Sequence, residues 1–160
     1  RLAAEHLIAH GRKHIAFLGD ASNHYPEFRD RYLGARNAMA AGGMEIEAGL
    51  QIDALNTEQS GFDAAQHLID NGIKFDVIAI GAIRAIEDAG LSIPGDVAII
   101  GFDDIPAASL AHPPLTTVQQ DYRTAGEVLV DTLLTLIEGK SAEGYMLPAK
   151  LVVRKSCGAH

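Results

Sequence analysis

Polar side chains follow two apolar runs in the second half of the chain, at the point where each run stops. Run 97–100 leads through Gly-Phe into Asp103, and run 115–118 leads directly into Gln119 and Gln120. Two neighbouring strands would bring these side chains to one edge of a sheet. Open α/β sheets bind their ligands at the carboxyl ends of parallel strands. The spacing therefore predicts a polar ligand site at this edge.

The adjacent carboxylates Asp103 and Asp104 do not suit a paired general acid and base. Successive residues at a strand end point to opposite sides of the sheet. We therefore expect the two carboxylates to face opposite sides of the sheet. Gln119 or Gln120, depending on the register, would lie at the same edge.

Other residues capable of chemistry give weaker patterns. His6, His10 and His14 recur every four residues, but Gly11 ends the helix before His14, so we expect no metal site. No base is evident beside Cys157, which we interpret as a half-buried thiol without a catalytic role. The chain has no nucleophile elbow, phosphate-binding loop or dinucleotide motif. The sequence therefore predicts a protein that is not an enzyme and carries no cofactor.

Composition sets the class of protein. The 160 residues are 48% hydrophobic, enough to bury the core of one domain. The net charge is −8 and the 13 Lys and Arg are scattered, so we expect this chain by itself not to bind nucleic acid. The single cysteine suits a reducing, cytoplasmic compartment, and no apolar run is long enough to span a membrane. Because the chain opens at Arg1, we interpret it as a fragment.

Helical and strand-like patterns alternate along the chain. The predicted strands are 14–18, 50–54, 75–78, 97–100, 115–118 and 150–154. The predicted helices are 1–10, one from Pro26 to Gly42, one from Asn56 to Asn71, one ending at Gly90 and one capped by Asp121 and ending at Gly139. Asn56 and Gln59 give the third of these helices a capping-box-like start. Such alternation predicts an α/β fold with a doubly wound, mainly parallel sheet and helices on both faces.

The junction 77–83 departs from this scheme. It reads Val-Ile-Ala-Ile-Gly-Ala-Ile, without the polar turn that normally joins a strand to a helix. We infer that residues are missing near Ile78 and Ala79. The alternative is a continuous apolar helix from Phe75 to Ala89, which Asp76 and Gly81 would interrupt.

Several strings occur in the order and spacing of one known family. They are HLIAHGRKHIAFLG at 6–19, Arg-x-x-Gly at 31–34, Ser-Gly at 60–61, IPGDV at 93–97, GFDD at 101–104, PPLTTV at 113–118 and LVVRKS at 151–156. Together they resemble the effector-binding domain of lac-repressor-type (LacI/GalR) transcriptional regulators, over nearly the whole chain. The resemblance implies the periplasmic-binding-protein-like (type I) fold, and within it the second lobe. It also explains the junction, because the family has an Asn/Asp-containing loop there.

The resemblance also implies site residues. Arg31 matches a guanidinium that contacts the effector, Asp103 a carboxylate that accepts ligand hydroxyls, and Gln120 a polar residue that reaches the effector from the crossover. Phe102, in the same GFDD string, joins them as a ligand-binding candidate. Asn56 stands where the family often has an aromatic, and so argues against flat, stacked effectors; the alternative is that it only caps its helix.

Two segments match the dimer interface of the family. They are the ridge that contains Ile80 and Ile83, and the loop before PPLTTV with Ala111 and His112. The alternative for the ridge is ordinary core packing, and the sequence does not separate the two interpretations.

The resemblance implies a division of the chain and a function. Residues 1–120 and 145–156 would form the C-terminal lobe, and 121–139 a crossover helix belonging with an N-terminal lobe that lies outside this chain, as would the DNA-binding domain. The function implied is a sugar-sensing domain of a homodimeric, operator-binding regulator. The alternative is a periplasmic sugar-binding protein of a transport system, which shares the fold.

Overall fold

Helices and strands alternate along the chain as the apolar spacing predicts. A computed structural model describes residues 1–21, 24–44, 47, 49–55, 57–78 and 81–159. Its helices are α1 (Leu2–Ala9), α2 (Pro26–Ala41), α3 (Glu58–Asp70), α4 (Ala82–Asp88), α5 (Pro106–Leu110) and α6 (Tyr122–Ile137). Its strands are β1 (Ile15–Leu18), β2 (Gln51–Ile52), β3 (Asp76–Ile78), β4 (Ile99–Phe102), β5 (Thr116–Gln119) and β6 (Lys150–Val152).

The strands form one mainly parallel sheet. Their order is β2-β1-β3-β4-β5-β6, and β6 alone runs antiparallel to its neighbour. The register pairs Ile100 with Thr116 and Phe102 with Val118. Strands β4 and β5 therefore end side by side, and the residues that follow them share one edge of the sheet.

Helices cover both faces of the sheet, which confirms the doubly wound prediction. Val77 and Ile99 lie in a core cluster with Leu68 of α3 and Ile86 of α4. The next residues along the same strands, Ile78 and Ile100, lie in a second cluster with residues of α1 and α2. Alternate strand residues point to opposite faces, so each strand supplies both cores.

The helix starts are mostly where the sequence places them. Pro26 occupies the first turn of α2, and the Asp121 carboxylate accepts a hydrogen bond from the Thr124 amide at 3.0 Å, which caps α6. The capping-box prediction at Asn56 was wrong: Thr57 is the N-cap of α3 and accepts from the Ser60 amide. Asn56 itself lies outside the described residues.

The chain forms a strand, β3, before the junction and a helix, α4, after it. Strand β3 pairs with both β1 and β4, and Gly81 precedes α4 with a left-handed φ of 87°. The alternative of a continuous helix from Phe75 to Ala89 was therefore wrong. The predicted gap at Ile78–Ala79 falls on Ala79, which lies outside the described residues, so the missing loop stays a prediction.

The segment between β4 and β5 contains a short helix where the sequence suggested a loop. Helix α5 spans five residues and begins at Pro106, whose fixed φ suits a first helical turn. A helix of this length makes little more than one turn. It is therefore too short to show the apolar repeat by which helices are predicted from sequence.

Helix α6 differs from the other long helices because none of its residues is buried. Its exposed apolar residues are Leu129, Val130, Leu133, Leu134, Leu136 and Ile137, each at least half exposed. The predicted apolar stripe of this helix thus exists but has no partner within the described residues. Neither α6 nor any other described helix combines the length and apolar character needed to cross a membrane.

Gly101 lies in β4 beside the Leu115 side chain, and we expect Gly101→Ala to destabilise the fold. A methyl group there would lie 2.7 Å from Leu115 Cδ2 inside the core. Overpacking of this kind costs about 1–3 kcal/mol in the free energy of unfolding. The control is Gly126→Ala in α6, where a methyl meets nothing within 4 Å and helix propensity favours alanine. Urea denaturation of both variants tests this, and equal stabilities would contradict it.

Candidate functional site

The candidate site lies at the carboxyl ends of β4 and β5. Directly after β4, the Asp103 amide donates to the carbonyl of Val118 at 2.8 Å, so the turn is tied to the neighbouring strand. Asp103 has a left-handed φ of 77°, a conformation that Asp tolerates better than most side chains. The backbone thus fixes the position of this carboxylate.

Two side chains from separate parts of the chain meet at Asp103. The Gln120 Nε2 donates to Asp103 Oδ1 at 3.2 Å, and the Arg31 Nη2 lies 3.9 Å from the same oxygen. The side chains of Arg31 and Asp103 are 25% and 21% exposed, so both retain access to a ligand while solvent screening is reduced. The structure therefore brings together the three polar residues predicted from the sequence.

The Arg31 guanidinium lies close to two aromatic rings. Its Cζ lies 3.8 Å from the Phe102 ring centroid and 5.0 Å from that of Phe28. Phe28 lies three residues earlier on α2, so helical spacing places it beside Arg31. Stacking of this kind stabilises the cation and orients its N–H edge. Phe102, predicted as a ligand contact, is thus a platform for Arg31 and also lines the cavity beside it.

Tyr122 is a site residue that the sequence analysis missed. Partial burial of the phenol, together with the nearby Asp103 carboxylate, raises the pKa of Tyr122 to about 12. The hydroxyl therefore stays protonated at neutral pH. The available signal was the Asp121 cap: Tyr122 is the first residue of a helix that follows β5 at once, which places it at the carboxyl end of that strand.

Asp104 belongs to a separate set of contacts. Its Oδ1 lies 2.7 Å from the Arg154 Nη1, within ion-pair distance, and the same nitrogen donates to the Leu115 carbonyl at 2.8 Å. Its Oδ2 accepts from the Gln119 Nε2 at 2.7 Å. Asp104 thus faces away from the partners of Asp103, and Gln120 rather than Gln119 contacts Asp103.

The predicted cause of that separation was wrong. Strand β4 ends at Phe102, and both Asp103 and Asp104 have positive φ values, 77° and 45°. A left-handed turn, not the alternation of a strand, directs the two carboxylates to different partners.

Two cavities adjoin the cluster. The first, about 230 Å³, is lined mainly by apolar side chains, with Arg31 as a charged wall next to Phe102. The second, about 600 Å³, is lined mostly by polar residues, among them Gln120 and Tyr122. Arg31 lines the first cavity and Gln120 the second, so the polar cluster has one of these members in each cavity wall.

The other predicted site residues are dispersed. Asn56 and Ile80 lie outside the described residues. Ile83 and Ala111 are partly buried and pack on the first core cluster, whereas His112 is exposed. Ile83 thus packs against the core in part, as one of its two interpretations predicted, and its role in dimer contacts stays a prediction.

The histidines near the amino terminus make structural contacts. The His6 Nε2 lies 3.3 Å from the buried Cys157 Sγ, and burial lowers the pKa of His6. The His14 Nδ1 lies 2.6 Å from Glu47 Oε1. Across the ranges that the structure describes, no three His, Cys, Asp or Glu residues cluster as metal ligands would.

Comparison with known proteins decides the family. Residues 4–157 match the model of the periplasmic binding protein-like domain. The chain belongs to this family. The result agrees with the six-stranded, mainly parallel sheet and with a cluster at the carboxyl ends of its strands.

Within the family, this periplasmic binding protein-like domain is of the lac-repressor type, which confirms the resemblance found in the sequence. It is 35% identical to the lactose operon repressor of Escherichia coli K12, over 98% of this chain and 45% of the repressor. The chain spans about half the length of the curated relatives it matches.

Solved structures agree with this assignment. A lac repressor dimer bound to operator and the anti-inducer ONPF superposes with a TM-score of 0.89 at 34% identity, covering 99% of this chain and 57% of that one. A complex of the regulator CelR with cellobiose also gives 0.89 at 31% identity, covering 96% of this chain and 49% of that one. The periplasmic binding protein-like fold predicted from the sequence is thus confirmed.

Proposed function

We propose that this chain is the effector-sensing lobe of a transcriptional regulator and that it binds a neutral, polyhydroxylated molecule such as a sugar. The observation that carries the proposal is the meeting of Arg31, Asp103 and Gln120 at the carboxyl ends of β4 and β5. Periplasmic binding protein-like relatives of known structure include the CelR–cellobiose complex, which supports a sugar as the ligand class.

The charges of the cluster select the ligand class. Asp103 repels an anion, while Arg31 by itself attracts one, and at 3.9 Å the two charges largely offset each other. A hydroxyl group can donate to the carboxylate and accept from the guanidinium, so it satisfies both. A neutral polyol therefore suits this pair better than a phosphate or an amine.

We further propose that the ligand lies between this lobe and a second one. Residues 1–120 and 145–156 would form one lobe, and residues 121–139 would belong with the other. The exposed apolar side of α6 supports this division, because a helix with no buried residue needs a partner to cover its leucines. Ligand binding would then change the angle between the lobes, and that angle would be coupled to operator affinity.

The proposed partners are a second copy of the chain and operator DNA. We propose a dimer contact through Ile83, Ala111 and His112, next to Leu110, which is 81% exposed. Operator binding would reside in a DNA-reading domain outside this chain, since its net charge of −8 does not favour DNA. The protein would act in the cytoplasm and would not be an enzyme.

The second candidate is a periplasmic sugar-binding protein of a transport system. The fold alone suits both functions. The relatives favour the regulator, because they are repressors and regulators of transcription. The PPLTTV string after GFDD, retained at 113–118, also favours it.

Calorimetric titration of the two-lobe protein against D-glucose, D-galactose, D-ribose, lactose and cellobiose tests the proposal. We expect at least one of these sugars to bind, and glucose 6-phosphate not to bind more tightly than glucose. A preference for the phosphate, or no binding of any sugar in the panel, would contradict it.

A further inference from the structure

The side-chain amide of Gln120 is directed at Asp103. A carboxylate can only accept hydrogen bonds, so the amide nitrogen must be the donor, and Gln120 Nε2 lies 3.2 Å from Asp103 Oδ1. Gln120 is the single residue between the end of β5 and Asp121, the N-cap of α6. Its backbone is therefore fixed from both sides, which holds the donor in place.

This hydrogen bond restricts the rotation of the Asp103 carboxylate. The terminal torsion of an aspartate side chain is broad and roughly two-fold, so the backbone of the turn does not by itself orient the two oxygens. The bond from Gln120 holds Oδ1 and thereby fixes the directions of the remaining acceptor sites. Arg31 lies 3.9 Å from the same oxygen, too far for a hydrogen bond, and therefore orients it less.

Arg31 and Gln120 face different cavities. Arg31 lines the first, mainly apolar cavity together with Phe102, whereas Gln120 lines the second, polar one. A ligand hydroxyl that accepts from Arg31 and donates to Asp103 would therefore lie on the side of the first cavity. The two neighbours of Asp103 thus have different roles: Arg31 faces the ligand, and Gln120 supports the carboxylate.

We propose that Gln120 is a positioning residue, which orients the Asp103 carboxylate for a ligand hydroxyl and does not itself contact the ligand. This inference rests on the proposed function and deepens it, because it states which member of the cluster acts through another. A neutral amide suits the role, since it donates without cancelling the charge that strengthens a hydrogen bond from the ligand. A lysine at this position would offset that charge, and an ionised glutamate would repel it.

The first test is Gln120→Met, which keeps the length of the side chain and removes its donor. In the two-lobe protein we expect it to weaken binding of the tightest-binding sugar of the panel above by about threefold to tenfold. The loss should be smaller than that of Asp103→Asn, because the carboxylate stays and only its orientation is lost. Calorimetric titration measures the affinity, and urea denaturation shows whether the variant is folded.

Gln119→Met is the matched control, one residue away. Gln119 Nε2 donates to Asp104 Oδ2 at 2.7 Å, so this variant also removes a hydrogen bond from a glutamine to a carboxylate. Asp104 lies outside the cluster around Asp103, and we expect the affinity to stay that of the parent.

Singly deoxygenated analogues of the same sugar separate positioning from direct contact. If Gln120 acts through Asp103, the analogue whose binding is unaffected by Asp103→Asn is also the analogue unaffected by Gln120→Met. If Gln120 contacted the ligand itself, Gln120→Met would instead lose its effect with an analogue that lacks a different hydroxyl.

Gln120→Glu gives a reading that a merely structural role would not move. A protonated glutamate can donate to Asp103 as the amide does, whereas an ionised one repels it. The charged and titratable groups around this carboxylate are Arg31 and Tyr122, and Tyr122, with a pKa of about 12, stays protonated at neutral pH. We therefore expect the affinity of Gln120→Glu, relative to the parent at the same pH, to fall as the pH rises from about 5 to 8.

The outcomes separate the two proposals. If the parent binds no sugar of the panel, the proposed function fails and this inference fails with it. If the parent binds, the inference alone is overturned by an unchanged affinity in Gln120→Met, by an equal loss in Gln119→Met, or by a different unaffected analogue from that of Asp103→Asn. A relative affinity of Gln120→Glu that does not change with pH would also overturn it, and this variant decides the question should Gln120→Met not fold.

Discussion

Asp103→Asn is expected to weaken sugar binding by about ten- to a hundredfold in the two-lobe protein. The carboxylate would accept charge-assisted hydrogen bonds from ligand hydroxyls, worth roughly 1.5–3 kcal/mol each, and the amide cannot replace the charge. Folding should be largely unaffected, because Asn also tolerates the left-handed backbone at φ 77°. Calorimetric titration measures the affinity, and chemical denaturation measures the stability.

The matched control is Asp104→Asn, one residue away. Its carboxylate is held by Arg154 and Gln119 and takes no part in the cluster around Asp103. We expect it to leave the affinity within a few-fold of the parent. Equal losses from the two substitutions, or an unchanged affinity in Asp103→Asn, would remove Asp103 from the ligand site.

Asp104→Ala is expected to lower the free energy of unfolding by about 2–4 kcal/mol. The side chain of Asp104 is 9% exposed and that of Arg154 21%, so the substitution leaves a guanidinium largely shielded from water without its counter-charge. Breaking a fully buried pair costs about 3–5 kcal/mol, and the partial exposure of Arg154 reduces that figure. Loss of a residue that tolerates φ 45° adds to it. Urea denaturation of the parent and the variant measures the difference.

Two control variants test why Asp104→Ala lowers the free energy of unfolding. Asp104→Asn keeps the tolerance for left-handed backbone and removes only the charge, so it should cost less than the alanine variant. Arg123→Ala breaks an exposed pair with Glu127 on α6 and should change stability by less than about 1 kcal/mol. If Asp104→Ala cost no more than Arg123→Ala, the pair with Arg154 would have no structural role.

The sequence alone predicted the arrangement of elements, because that information is local. Apolar periodicity, Pro26 at a helix start and the Asp121 cap each act within a few residues. The sequence also predicted that Asp103 and Gln120 share one edge, since the carboxyl ends of parallel strands lie at the same edge of a sheet.

Local signals failed where neighbouring residues compete for one role. Asn56 and Thr57 are both good N-cap residues, so residue type alone does not tell which of them caps the helix. Helix α3 begins at Glu58, which makes Thr57 the N-cap. Helix α5 was missed because five residues cannot show an apolar repeat.

Tertiary structure decided how the site is assembled. The stacking of Arg31 on Phe102 joins α2 to the end of β4, and the Gln120 amide reaches Asp103 from the segment after β5. These contacts join elements far apart in the chain, so no spacing within one segment could reveal them. The separation of Asp103 from Asp104 follows from a left-handed turn that strand periodicity does not describe. Sequence thus determined the order of the elements and the common edge at which β4 and β5 end, and packing between the elements determined which side chains meet there.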